Sequence, residues 1–385
     1  MTSITLRERS RSAARTVLME LDATMILLFL VMSAGLFAGV WRLFTGLGAS
    51  TNLNDGFGWG LWIGFDFSLI AFSGAGFTMA FVGHVLGLKR FHNAMRVGVL
   101  TGLLGYVGVL FLLILDLGRW DRFYSFMINW NIHSPLFEIC WCVLLYSMVL
   151  MFENLPQVLE GIGRHKLAHV IHKALMPIVI LGVTLSSLHQ STLGTLYLAM
   201  PHRLHAFWYT PLLPLQFFTS SIMVGLSVAV MAYLLATSIR KMDADAKVVN
   251  GLALGAAGAG LVYAAPKIGD VIASGEIAAI MANEPMANLW KGEVLLGVIV
   301  PLILLLIPRL RRSQRNVVLA TSLFALGVLF NRFNATLFAQ RSPKGYDYVA
   351  SSLEWVSTIG VLAGVALVWY LAVKYLPILQ EKHTG

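Results

Sequence analysis

Long apolar runs alternate with short polar ones along the whole chain, on the scale of a bilayer. A spanning helix needs about 20 predominantly apolar residues. Ten stretches satisfy that length: Met19 to Phe44, Gly58 to Leu86, Ala94 to Leu117, Leu136 to Leu155, His172 to Leu193, Leu215 to Ser238, Val248 to Ile272, Lys291 to Ile307, Val317 to Phe338 and Leu353 to Leu376. The pattern predicts an all-α polytopic membrane helix bundle of about ten transmembrane helices. It is expected to form one integral membrane domain behind an N-terminal tail of 18 residues. The seventh run carries Gly251, Gly255, Gly258 and Gly260, which in a bilayer favours close helix packing.

Composition agrees with the pattern. Charged residues make up 12% of the chain and hydrophobic ones 57%, whereas soluble domains carry roughly 25% charged residues. Mean hydropathy is +0.75. The formal charge of +9 would suggest a nucleic-acid partner in a soluble protein, but here the basic residues flank apolar runs and read as topology signal and contact with anionic lipid. Cys140 and Cys142 point to nearly opposite faces of one helix, so they read as packing residues rather than as a disulfide or cluster ligands. Arg7, Arg9, Arg11 and Arg15 precede the first run like a signal peptide. Glu20 and Asp22 interrupt that pattern, and the first helix is expected to be retained.

Basic residues also predict orientation. The N-terminal tail, alternate connections and the C-terminus hold 19 of the 28 Lys and Arg residues, which predicts that both termini are cytoplasmic. The expected location is the cytoplasmic (inner) membrane of a bacterium or archaeon. The connections on the opposite side are longer and aromatic, as in GRWDRFYSFMINWNIHSP and AMPHRLHAFWYTPLLP. Long ordered loops on one face usually carry function, so a docking surface is expected there.

With orientation set, each intramembrane polar residue acquires a depth. Asp66 lies about two turns into the second helix from the outer side. Asp116 and Glu138 stand at the outer ends of the third and fourth helices, and His189 and Gln190 end the fifth. Arg42 ends the first helix and Arg332 lies about two turns below the outer end of the ninth. Lys267, Asp270, Glu293 and Glu354 are read as helix-end residues, engaged in interfacial contacts or structural ion pairs, and Asp116 with Arg119 as a local pair. A charge at bilayer depth costs about 2.5 to 3.5 kcal/mol on insertion scales, so several at one level predict a polar pocket in the outer half. A haem held by two histidines needs them facing each other at one depth; His84 is placed near the inside and His189 near the outside, with His133, His202 and His205 in outer loops and His92, His165, His169 and His172 at the cytoplasmic rim, which argues against a haem in this chain. No catalytic phosphate-loop or metalloprotease motif is present.

Certain segments carry a resemblance: WRLFTGLG, NLNDGFGWGLWIGFD, LDLGRW, NWNIHSPLFE, LHQSTLGTL and NRFNATL. In these the chain resembles the NrfD family of quinone-interacting membrane subunits, most of all its ten-span HybB-like branch from nickel–iron hydrogenases and related respiratory complexes. The resemblance implies an anchor without haem or iron–sulfur cluster. Such an anchor exchanges electrons between a menaquinone or ubiquinone pool and a ferredoxin-like iron–sulfur subunit on the periplasmic side, with a multihaem cytochrome or a catalytic oxidoreductase subunit as further partners. It implies quinone-site and proton-handling roles for Asp66, Asp116, Glu138, His189 and Arg332, with Asn331 and Asn334 as neighbours. Gln190 and Arg42 join the expected quinone-binding set, and no metal ligands are expected. In this reading His189 hydrogen-bonds a quinone carbonyl, Asp66 or Glu138 exchanges protons, and Arg332 counters buried negative charge. A secondary transporter with a polar intramembrane site is the rival, although its charges would be expected near the midplane within repeated halves.

Overall fold

The computed structural model describes residues 22–342 and 346–380, so Glu20, the N-terminal arginines, Lys344 and Lys382 lie outside the described residues. Among these residues ten helices are long and apolar enough to cross a membrane. They are α1 (Ala23–Thr45), α2 (Leu61–Val85), α3 (Lys89–Asp116), α4 (Pro135–Gly161), α5 (His165–Leu198), α6 (Leu213–Ile239), α7 (Ala246–Ala273), α8 (Pro285–Leu306), α9 (Gln314–Phe338) and α10 (Ser352–Tyr375). Each expected span corresponds to one of them. Several helices run further than their apolar cores. α5 begins seven residues before the expected His172 and α8 six before the expected Lys291, because backbone hydrogen bonding continues into polar sequence that a hydropathy rule discards.

Local chemistry starts and stops these helices. The Asp22 side chain accepts the Met25 N–H at the start of α1. Ser351 and Glu354 form a reciprocal capping box on α10, which satisfies backbone donors that have no partner in the helix. Prolines open α4 and α8, where the missing N–H costs nothing. π-helical turns close α2 at Phe81–Val85 and α9 at Asn334–Phe338, and interrupt α8 at Leu295–Ile299.

The bundle has a centre. In the most apolar stretch of α2, 72% of residues are buried, against 22% for α1 and α5, so α2 is the helix around which the others are laid. α6 crosses it at Gly74 and Gly225, where a Cβ on Gly225 would stand 2.5 Å from the Gly74 carbonyl carbon. α1 is held against the outside of the bundle by α10. There a Cβ on Gly360 would stand 2.3 Å from the Gly35 Cα. α8 and α9 meet as closely, a Cβ on Gly327 standing 2.4 Å from the Gly297 Cα, whereas glycines of α7 meet side chains, Gly251 the Phe91 ring and Gly260 the Phe324 ring.

The loops sort to two ends. At one, the connection before α2 meets the one before α10: Asn52 donates to the Val349 carbonyl (2.8 Å) and the Leu61 N–H to Tyr348 (2.8 Å). The α5–α6 connection joins them through Arg341 N–H to Arg203 O, 2.7 Å. This is the loop-rich end. The opposite, basic end is tied by Lys374 to Asp22 (3.2 Å) and by Arg96 to Glu160 (2.7 Å). There the Tyr370 hydroxyl, donating to Asp22, with help from the Met25 N–H and Lys374, holds the Asp22 carboxyl down at about 2.

Because the α1–α10 contact is backbone on backbone, neither helix can yield to an added side chain. Gly35→Val is expected to cost about 1–3 kcal/mol, as overpacking does, and to lower the melting temperature of the detergent-solubilised protein. An unchanged melting temperature would refute the contact.

Candidate functional site

α5 presents Ser186, His189 and Gln190 on one face, spaced i, i+3, i+4, and all three are fully buried. They face α2, α3 and α4. The Gln190 side-chain amide donates to the Ile70 carbonyl of α2 at 2.8 Å, which fixes the level of α5 against the central helix. The His189 ring packs on Tyr106 of α3 (centroids 5.9 Å), and Tyr106 packs on Tyr146 of α4 (5.0 Å). Both tyrosine hydroxyls lie beside Ser186, and Tyr106 is within electrostatic reach of Asp66 on α2. Asp66 is 2% exposed, too deep for a carboxylate without a reason.

Both nitrogens of His189 are buried without a hydrogen-bond partner, as are Asp66 Oδ1, Tyr106 Oη, Tyr146 Oη, Ser186 Oγ, Gln190 Oε1 and Ser73 Oγ. Each such group costs about 1–3 kcal/mol when left unsatisfied. Eight such atoms lie together on these four helices. Sequence reasoning identified Asp66, His189 and Gln190 but missed Tyr106, Tyr146 and Ser186. A tyrosine in mid-span where phenylalanine would be easier to bury, and a serine one turn before His189, were the available signals.

Arg332, Asn331 and Asn334 belong to a different cluster. Glu293 of α8 forms an ion pair with Lys267 of α7 (2.6 Å), both side chains at most 4% exposed. It also accepts from Trp208 (2.7 Å), Asn331 (2.9 Å) and Asn334 (2.7 Å). Arg332 donates to Asn331 (2.6 Å) and Ser220 (2.9 Å) and sits 3.7 Å over the Phe217 ring. It therefore reaches Glu293 through an amide rather than countering Asp66 directly. The π turn at Asn334–Phe338 lets Asn334 share Glu293 with Asn331. Lys267 and Glu293 are an ion pair, as expected of them, but not at helix ends: α8 starts at Pro285, so Glu293 lies two turns inside. Tyr197 of α5, packed on Phe67 (6.2 Å) and Phe217 (5.8 Å), stands between this cluster and the first.

Arg42 and Asp116 form a third group. Arg42, fully buried, donates to the Leu117 carbonyl at 2.7 Å and stands 5.9 Å from the Trp62 ring, within electrostatic reach of Asp116. Asp116 acts in turn on Asp66. The expected Asp116–Arg119 pair does not form. Arg119 has left the helix and pairs with Asp121 at 2.9 Å on the exposed surface, because α3 ends at Asp116. Beside this group, burial and donation to Glu354 hold the Tyr348 phenol above the ordinary tyrosine value, so it stays a donor. Glu138 is exposed at the start of α4, where it accepts from Thr192 (2.8 Å), one turn beyond His189.

At the basic end the bundle opens into a cavity of about 500 Å³ lined by His84, His92, His165, His169, His172 and Glu153, among others. The His84 and His172 rings stand 6.1 Å apart, at the rim where the sequence places both. Nothing in the spacing of sequence-distant histidines could have foretold it.

Removing one member of a buried ion pair strands the other, at a typical cost of about 3–5 kcal/mol. Glu293→Leu is expected to destabilise by that order, and Glu293→Leu with Lys267→Met by clearly less, read by thermal unfolding of the purified protein. A double variant no more stable than Glu293→Leu would overturn the stranded-charge account.

The profile of the polysulphide reductase NrfD family matches residues 49–341. Relatives span nearly the whole chain. A Nitratidesulfovibrio vulgaris protein, named only as a protein, is 31% identical over 91% of this chain and 93% of its own. The menaquinone reductase integral membrane subunit of the same organism is 29% identical over 93% and 92%. The probable Ni/Fe-hydrogenase 2 b-type cytochrome subunit of Escherichia coli is 28% identical over 88% of each chain. The chain belongs to the polysulphide reductase NrfD family.

Proposed function

We propose that this NrfD-family chain is the quinone-interacting membrane subunit of a respiratory redox complex, with the quinone head bound at the His189 group. The observation that carries the reading is the cluster of unpartnered buried polar atoms on α2, α3, α4 and α5. The relatives named for menaquinone reduction and for hydrogenase support the class of complex.

The donor set fits the ligand. A quinone carbonyl accepts hydrogen bonds, and His189, Tyr106, Tyr146 and Ser186 can each donate one. Bound there, a quinone would supply a two-electron, two-proton couple. Neutral His189 has one ring nitrogen to donate and the other to accept, so it can orient a carbonyl and hand over a proton. Asp66 is the nearby carboxyl that can replace that proton, and Asp116 with Arg42 sets the field behind it. Arg332 acts at a distance, as a buried cation one tyrosine away. Glu138 stands apart at the loop-rich surface and serves there as an exchange point.

The chain offers no cysteine set for a cluster, and we assign the electron-carrying centres to partners: an iron–sulfur subunit, with a multihaem cytochrome or a catalytic subunit beyond it. The surface for them is the loop-rich end, which the basic-residue count makes the outer face of the cytoplasmic membrane. Phe123, Ile128, Trp130 and Ile132 are more than half exposed there, as large apolar residues awaiting a partner would be.

His189→Ala and Asp66→Asn are expected to lower quinone-coupled turnover of the complex by about 10²-fold or more, the usual size of acid–base effects, and His189→Ala to remove co-extracted quinone as well. Turnover within two-fold of wild type in both variants would overturn the assignment. A reduced-minus-oxidised absorption spectrum of the isolated chain is expected to lack haem bands; their presence would move redox chemistry into this subunit.

A further inference from the structure

The cavity at the basic end has no part in the quinone site, and its walls are sorted by chemistry. α4 contributes Glu153, Gln157 and Glu160, spaced i, i+4, i+7 on one face. α5 contributes His165, His169 and His172 on the same spacing, and His84, His92 and Arg96 come from the end of α2 and the start of α3. The carboxyls therefore stand on one helix and the basic groups on three. Arg96 and Glu160 answer each other at 2.7 Å. Five imidazoles remain, and among the described residues none of them makes a side-chain hydrogen bond or an ion pair within the chain.

These groups surround about 500 Å³, a volume within the range of about 300–1,000 Å³ typical of ligand sites. His84, His92 and His172 lie within electrostatic reach of one another, and Arg96 of His92, so positive charge gathered there calls for an anion between the walls. No three of the histidines converge as metal ligands do, among the described residues; donors spread around a space suit the several oxygens of a larger anion. Three lining side chains, each more than nine-tenths buried, keep a polar atom without a partner: Arg96 Nε on the basic side, and Glu153 Oε2 and Gln157 Oε1 on α4. A ligand with an anionic centre and a hydrogen-bond donor beside it matches both walls. The C-terminal segment closes the space with Pro377 and Gln380, and Asn93 holds Gln380 by its carbonyl (2.9 Å) and its N–H (3.1 Å). Around the opening, Val85, Leu86 and Leu88 at the α2–α3 turn and Leu167 and Val170 on α5 are 41–63% exposed. They form an apolar rim at the level where two spanning helices end.

We propose that this cavity is a binding site for the headgroup of a membrane phospholipid from the leaflet at the basic end. The phosphoryl oxygens face the histidines and Arg96, and the amine or hydroxyl beyond the phosphate faces Glu153 and Gln157. The acyl chains lie over the apolar rim. Histidine suits the phosphoryl group in either protonation state, since neutral imidazole donates one hydrogen bond and imidazolium two. A free phosphoryl compound shares the anionic chemistry but makes no use of the rim, which is why the lipid is the occupant the surface favours. Bound in this way, the headgroup ties the first turns of α5 to α2 and α3, and a ligand held only by the folded chain stabilises it.

The test uses the full chain purified in detergent. Its retained phospholipid is measured by extraction and mass spectrometry, and the chain is then stripped of lipid and titrated with phosphatidylethanolamine, diacylglycerol or inorganic phosphate while its melting temperature is followed. Wild type is expected to keep phospholipid through washing, and phosphatidylethanolamine to raise the melting temperature by several degrees. Diacylglycerol, which has the chains without the phosphate, is expected to leave it unchanged. His165→Ala with His169→Ala, both at exposed positions, is expected to weaken lipid binding about ten-fold or more, the size of a lost hydrogen bond to a charged group. His92→Gln, on the facing wall, is expected to act in the same direction and keeps the test decisive if the double variant folds poorly. Equal stabilisation by diacylglycerol and phosphatidylethanolamine, or undiminished lipid binding in both variants, would overturn the headgroup site. Stabilisation by inorganic phosphate with none by phospholipid would overturn the lipid as occupant and make the site one for a soluble phosphoryl compound.

Discussion

A polar atom inside a bilayer has no water to turn to, and that constraint separates the two buried clusters of this protein. The Glu293 carboxylate is met within the chain by one lysine, two asparagines and an indole, while Arg332 Nε and Asn334 Oδ1 beside it have no partner. Around His189 less is met. Both nitrogens of a histidine, an aspartate oxygen and three hydroxyls lie buried there without a partner.

The scaffold explains how these groups meet. α2 is buried along most of its length and touches α3, α5 and α6, so Asp66, Ser73 and His84 on one helix reach three different neighbourhoods. Glycine contacts at Gly74–Gly225 and Gly35–Gly360 bring backbones close enough for short polar side chains to span the interfaces. α5 is anchored to α2 by Gln190 and the Ile70 carbonyl, which sets His189 opposite Tyr106 rather than in a loop.

The molecule is polarised along its long axis. Exposed aromatic residues and interlocked loops lie at one end and a histidine cavity at the other, with Asp66 and His84 on α2 separated by about 27 Å, at 1.5 Å per residue. Family membership and the menaquinone and hydrogenase relatives agree with a subunit that works between a soluble redox partner and a lipid-borne carrier.

The ten spans were legible in the sequence because a bilayer imposes a length and a composition that any helix crossing it must meet. Asp66, His189 and Gln190 were legible for the same reason: polar residues in apolar runs stand out. Arg332 stood out equally, but only the structure shows that it packs with Asn331, Ser220 and Phe217, since depth along a helix says nothing about which neighbour a side chain faces. Glu293 and Lys267 were read as helix ends because polar first turns look like loops until their backbone hydrogen bonds are known. Tyr106, Tyr146, Ser186 and the meeting of His84 with His172 were invisible, being ordinary residues made significant by helices packed from distant parts of the chain. Sequence alone determined that this protein lives in the membrane and which polar residues it hides there. Only the tertiary structure decided which of them satisfy one another and which are left waiting, because partnership depends on helix rotation and packing, and neither is written in the order of the residues.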